Sequence, residues 1–214
     1  MNEQEWLAFD EPSDMLKSLQ GKMSDRKFRL FATACCRWIW ELIDPDENGR
    51  FVELVEESSD QLLGEVGIGL ADKPPFSGHV TCNHQLIGRL LQSNAGIAAY
   101  EVAFQAPRMV WGAPTGKWSR GEETIAKIAR DVFGNPFRPI TLAATHRTST
   151  VVSLAREAYD ERRLPSGKMN PQRLTLLAAA LEEVRAPGEL VAHLRGPGPH
   201  VRGCFAVDLC LGLE

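Results

Sequence analysis

Residues 24–43, SDRKFRLFATACCRWIWELI, decide the fold. Ser24 and Asp25 open the stretch with side chains that accept the unpaired N–H groups of a first helical turn. Phe28, Phe31, Ala32, Cys35, Trp38, Ile39, Leu42 and Ile43 follow at the three-and-four spacing of one helical face. Leu30, Ala34, Cys36 and Trp40 make the opposite side apolar as well. A helix apolar on two sides needs neighbours on both, so the stretch predicts a central helix inside a multi-helix bundle.

Outward from this helix the pattern stays helical. Pro12 and Gly21 bracket a helix at 12–20, and Phe51, Val52, Val55, Leu62 and Leu63 supply another that Gly64 ends. The segment IDPDENG reads as a turn, and 84–105 as one helix interrupted at Gly96. Further helices are expected at 121–133, 148–163, 171–184, 188–194 and 200–211. The fold class is therefore all-α: an irregular bundle of about eight helices around 24–43. The chain of 214 residues reads as one compact domain, with a division into lobes 1–64 and 83–214 across the Gly- and Pro-rich loop 65–82 as its finer form.

Bulk composition excludes more than it identifies. Hydrophobic residues are 43 % and charged residues 24 %, as in ordinary soluble domains, and the net charge of −4 gives no general attraction to nucleic acid or acidic membranes. The charge is uneven. Residues 1–107 hold 9 Lys/Arg against 17 Asp/Glu, and 108–214 hold 15 against 11, or about −8 and +4. No apolar run approaches the ~20 residues of a membrane span. The N-terminus has no apolar segment of the signal-peptide kind, which places the chain in the cytoplasm. Five cysteines, two of them adjacent at Cys35 and Cys36, suit reduced thiols rather than a disulfide framework.

Three blocks, SDRKFRLFATACCRWIW, DVFGNPFRPI and HLRGPGPHVRGCFAVDLCLGLE, resemble a bacterial family of uncharacterised proteins. The likeness covers about the first 45 residues and most of 131–214. This chain has Leu194 and Phe205 where the family often has Cys and Trp. The resemblance implies a real folding unit. It implies no activity, cofactor, partner or catalytic residue.

Two donor clusters stand out. His79, Cys82 and His84 form a short run of imidazole and thiol groups suited to zinc, with Cys82 and His84 on one side of an extended segment. His200 and Cys204, four apart, would share a helical face, with His193 a short loop away. The same pairing of histidine with cysteine also suits a thiol nucleophile and its base, whereas the apolar neighbours Val201, Phe205 and Leu209 suit a core cysteine. Of the adjacent pair on the central helix, Cys36 lies on the less regular face, beside Trp40. Asp208, in a nearly all-apolar helix, needs a cationic partner, for which Arg138 and Arg202 are candidates.

Two surfaces complete the inventory. Trp111 and Trp118 lie in Pro/Gly-rich sequence, as aromatic residues at protein-binding surfaces do. Arg138, Arg147, Arg156, Arg163 and Arg173 make 138–173 locally basic, with Glu157, Asp160 and Glu161 opposing. No dinucleotide, P-loop, HExxH or GxSxG motif is present. The favoured function is a non-catalytic protein-binding or regulatory helical module, with no cofactor. The alternative is a metal-dependent (zinc) or thiol enzyme built on the His/Cys clusters, and the third is nucleic-acid binding through 138–173.

Overall fold

The computed structural model describes residues 1–8, 10–43, 45–60, 82–111 and 118–213, with backbone alone at 45–47, 60, 82–84, 111 and 118–120. Among the described residues eleven α-helices form. They are α1 (Glu3–Ala8), α2 (Pro12–Leu19), α3 (Asp25–Trp38), α4 (Pro45–Asp60), α5 (Cys82–Leu90), α6 (Ala95–Trp111), α7 (Trp118–Phe133), α8 (Ser149–Asp160), α9 (Pro171–Glu183), α10 (Gly188–Arg195) and α11 (Phe205–Leu211). No strand occurs among these residues, only isolated bridges from Lys168 to Arg163 and Val201. The chain is all-α, with eleven helices in place of about eight. No described helix is long and apolar enough to cross a membrane.

The helix α3 forms as its sequence predicts, and Ser24 accepts the Lys27 N–H at 3.4 Å. Phe28, Phe31, Ala32 and Cys35 are buried on one side, and Leu30, Ala34 and Cys36 on the other. It packs mainly against α6, α4 and α7. It ends at Trp38, five residues short of the expected limit, and Ile39 and Ile43 stay buried through two turns. The expected helix 84–105 is two helices, because the Asn94 carboxamide takes the Ile97 N–H at 2.9 Å and starts α6 afresh. Pro45 begins α4 inside the segment expected as a turn, a position where its missing N–H costs nothing.

The buried apolar side chains divide into two clusters. The first draws on α1–α7, from Trp6 to Phe133, and also takes in Val201. The second runs from Leu142 to Cys210 and draws on α8–α11. The boundary is the GNPFRP turn, where Gly134 takes a positive φ of 66° to end α7. The loop 65–82, expected as the link between lobes, lies outside the described residues but for Cys82. The C-terminal part meets α3 mainly through polar side chains, Arg26 and Lys27 at Asp208 of α11 and Arg37 at the Pro165 carbonyl, and through the close approach of Gly203 to Leu30.

The segment 200–211 departs most from expectation. Only Phe205–Leu211 is helical, and 200–204 is a loop. Gly203 sits at φ 90°, which a helix does not allow, and the Val201 N–H leaves the chain to bond Asp131 at 2.9 Å.

Candidate metal centre

The loop and three helices bring four donors together. Asp131 lies in the last turn of α7, His193 in α10, His200 in the loop, and Cys204 caps α11. One ligand atom from each lies within 4.8 Å of all the others. Asp131 Oδ1 is 3.0 Å from His193 Nε2 and 2.9 Å from His200 Nδ1, and His193 Nε2 is 3.3 Å from Cys204 Sγ. Asp131, His200 and Cys204 are buried, and His193 is partly exposed. His193 edges a cavity of about 430 Å³ that Trp6, Arg130 and Phe205 also line.

Three of the donors are aimed from behind. The Val201 N–H holds Asp131 Oδ2, leaving Oδ1 for the shared space. The Gly196 carbonyl, which can only accept, receives a hydrogen bond from His200 Nε2–H at 3.2 Å and turns Nδ1 inward. His193 packs against Phe205 with the rings tilted by 52° and their centroids 4.4 Å apart, and meets the His200 ring edge-on at 4.9 Å. Cys204 is placed as the residue that caps α11, its own N–H on the Val201 carbonyl at 2.9 Å. Such outer contacts are what fix ligands at metal sites.

The electrostatics point the same way. Burial works against the Asp131 carboxylate, but the hydrogen bonds and charge of His193 and His200 outweigh it and hold its pKa below the usual range. Burial lowers His200, and the bond to Asp131 more than restores it, so its pKa is raised. Burial first, then the Asp131 charge, push the Cys204 thiol well above its ordinary value, against the weaker pull of the nearby Val207 and Ala206 backbone. Without a cation, His200 must carry two protons to face both a carbonyl and a carboxylate. A divalent cation satisfies the same atoms with neutral imidazole and thiolate.

The donor set fits zinc. Carboxylate oxygen, two imidazole nitrogens and one thiolate are its ordinary ligands, and bonds of 2.0–2.3 Å in a tetrahedron set ligand atoms roughly 3.2–3.7 Å apart. The three shortest separations, 2.9–3.3 Å, need to open by a few tenths of an ångström, and the remaining ones, all within 4.8 Å, to close by up to about an ångström. A thiol–imidazole–carboxylate relay fits worse. In a relay the thiol and the carboxylate bond opposite ring nitrogens, whereas here both face Nε2 of His193.

The sequence pointed to His200 and Cys204 but through the wrong geometry. They are joined by a loop and a helix cap, not by a shared helical face. Asp131 went unnoticed, although a carboxylate beside Ile128 and Val132 on the buried stripe of α7 was a readable signal. Cys35 and Cys36 are not part of the described cluster. Both are fully buried, and burial pushes their thiols up, Cys36 to about 12.

The other candidates are scattered. His79 lies outside the described residues, and the backbones of Cys82 and His84 open α5. The backbones of Trp111 and Trp118 end α6 and begin α7. Arg138, Arg147, Arg156 and Arg163 are exposed, with Arg138 3.8 Å from Glu3, while Arg173 is held by Glu157 and Glu161. Asp208 does not pair with Arg138 or Arg202. Its partners are Arg26 at 2.8 Å and Lys27 at 2.5 Å, because α11 sits against the start of α3. No family model matches the chain, nor does any curated protein or solved structure.

Proposed function

We propose that this protein is a non-catalytic, zinc-binding helical module in which Asp131 Oδ1, His193 Nε2, His200 Nδ1 and Cys204 Sγ form a closed four-ligand centre. The observation that carries the reading is the convergence of these four atoms within 4.8 Å, with Asp131, His193 and His200 each oriented by a second contact. Four protein donors leave no vacant position for substrate, the pattern of structural rather than catalytic zinc. The metal would tie α7, from the first core, to α10 and the loop before α11, from the second. Such a module acts through its surface. Ile97 and Phe104, 49 % and 42 % exposed and seven apart on α6, support another protein as partner. The free cysteines among the described residues, all buried, suit the reducing cytoplasm.

The test is elemental analysis of the purified protein, together with cobalt substitution. One equivalent of zinc and a thiolate-to-cobalt absorption band that disappears in Cys204→Ser are expected. Less than about a tenth of an equivalent, both as purified and after zinc reconstitution, refutes the reading.

A further inference from the structure

We propose that Lys27 and Tyr159 are positioning residues of the metal centre, which clamp the Gly203 backbone and thereby hold the Cys204 donor against the end of the helix that carries Asp131. The inference rests on the assignment of Asp131 and Cys204 as metal ligands.

Lys27 is 8 % exposed, and its ammonium has three donors with three acceptors around it. Nζ donates to the Val132 carbonyl at 3.1 Å, the Gly203 carbonyl at 2.8 Å and Asp208 Oδ2 at 2.5 Å. Val132 follows Asp131 in sequence, and Gly203 precedes Cys204. One side chain from α3 therefore bridges the backbones of two ligands that lie more than seventy residues apart. The Val132 carbonyl is in the last turn of α7, where no intrahelical N–H remains to meet it, and a cation is favoured there.

Tyr159 holds the preceding peptide unit, through the Gly203 N–H. Its hydroxyl accepts the Gly203 N–H at 3.0 Å and donates to Asp208 Oδ1 at 3.1 Å. Both polar groups of Gly203 are thus fixed. Steric contact supplies a third constraint, since a Cβ at this position would lie 2.9 Å from Leu30 Cβ. Asp208 closes the arrangement by offsetting the charge of Lys27 and Arg26. Nothing in this network touches the four donor atoms. Its consequence is that the loop is biased toward the ligating position before a metal arrives, so that binding has less ordering to do.

The experiment compares zinc affinity, by chelator competition, and the cobalt spectrum in wild type, Lys27→Met, Tyr159→Phe and Val55→Ala. Val55→Ala removes a buried side chain of α4 in the first apolar cluster and controls for simple loss of stability. Expected is a rise in the zinc Kd of about 10–100-fold in Lys27→Met and Tyr159→Phe, with a shifted or weakened thiolate-to-cobalt band, and neither change in Val55→Ala. Tyr159→Phe keeps the ring and carries the test alone if Lys27→Met does not fold. Wild type that binds zinc while both variants bind within twofold of it, with the same spectrum, overturns the positioning role. Wild type that takes up no zinc overturns the metal centre, and this inference with it.

Discussion

Asp131→Asn separates metal binding from packing, because the amide preserves the side chain's shape and half its hydrogen bonding. In metal-free protein the Asn oxygen can still accept the Val201 N–H, and its NH₂ can donate to a neutral His200 Nδ1. The charge on His200 is then no longer needed, and the metal-free cost should be about 1–3 kcal/mol. The zinc-loaded protein should behave differently. At free zinc a thousandfold above Kd, linkage stabilises wild type by about 4.1 kcal/mol. For a chain of this size each kcal/mol is about 2–4 °C in Tm, so zinc should raise the wild-type midpoint by about 8–16 °C. Loss of one of four ligands should exceed the ten- to hundredfold effect of outer-shell changes. With Kd raised about a hundredfold, the same zinc concentration stabilises the variant by only about 1.4 kcal/mol, or about 3–6 °C. Calorimetry with and without zinc measures all four midpoints. Equal zinc-induced shifts in the two proteins would refute the role given to Asp131.

Three further changes probe the surrounding structure. Gly203→Ala places a Cβ 2.9 Å from Leu30 at φ 90°, and strain plus overpacking should cost about 2–5 kcal/mol in urea unfolding, against which a loss below about 1 kcal/mol would count. Asp208→Ala leaves the buried Lys27 and Arg26 without their carboxylate and should cost about 3–5 kcal/mol, so an unchanged urea midpoint would contradict the network. Cys35 and Cys36 are fully buried with their thiols pushed up, and iodoacetamide should label them only after denaturation; rapid labelling of the native protein would show that this core opens.

The architecture was legible where it depended on apolar spacing. The two apolar faces of residues 24–43 announce the centre of a core, and α2, α7, α8, α9 and α10 fall close to where their periodicity puts them. Errors collected where a polar side chain or an unusual backbone angle overrules the pattern. Asn94 splits one expected helix, and Gly203 with the Val201 bond unwinds the start of another. The site suffered most from this. Four-residue spacing suggested that His200 and Cys204 share a helical face, but their real association is tertiary, set by an aspartate almost seventy residues earlier. Pairings of that kind, like Asp208 with Arg26 and Lys27, have no signature in local sequence. What sequence does show is the need for a partner: Asp131 and Asp208 each stand among apolar neighbours, where a carboxylate must be paired.

The two apolar clusters close separately, and what joins them is largely polar. Asp131 spans the seam to His193 and His200, Lys27 spans it to Gly203 and Asp208, and Arg37 reaches the Pro165 carbonyl while holding Glu56 through two 2.7 Å bonds. A seam of buried charges adds little net stability by itself, since desolvation consumes most of the attraction. Metal binding there would be felt across the whole chain, and metal removal should loosen the seam before either core. Hydrogen exchange can see this directly. In chelator, the amides of Val201, Gly203 and Cys204, bonded to Asp131, Tyr159 and the Val201 carbonyl, should lose protection first. Amides of Cys35 and Cys36 in α3 should keep theirs, because their helix is enclosed by α4, α6 and α7 on the first core's own side chains. If chelation instead lowers protection uniformly, the two cores unfold as one unit and the metal does not act as a link between them. If it changes no amide at 200–204, the loop owes its order to its protein contacts, Lys27 and Tyr159 among them, and not to the metal.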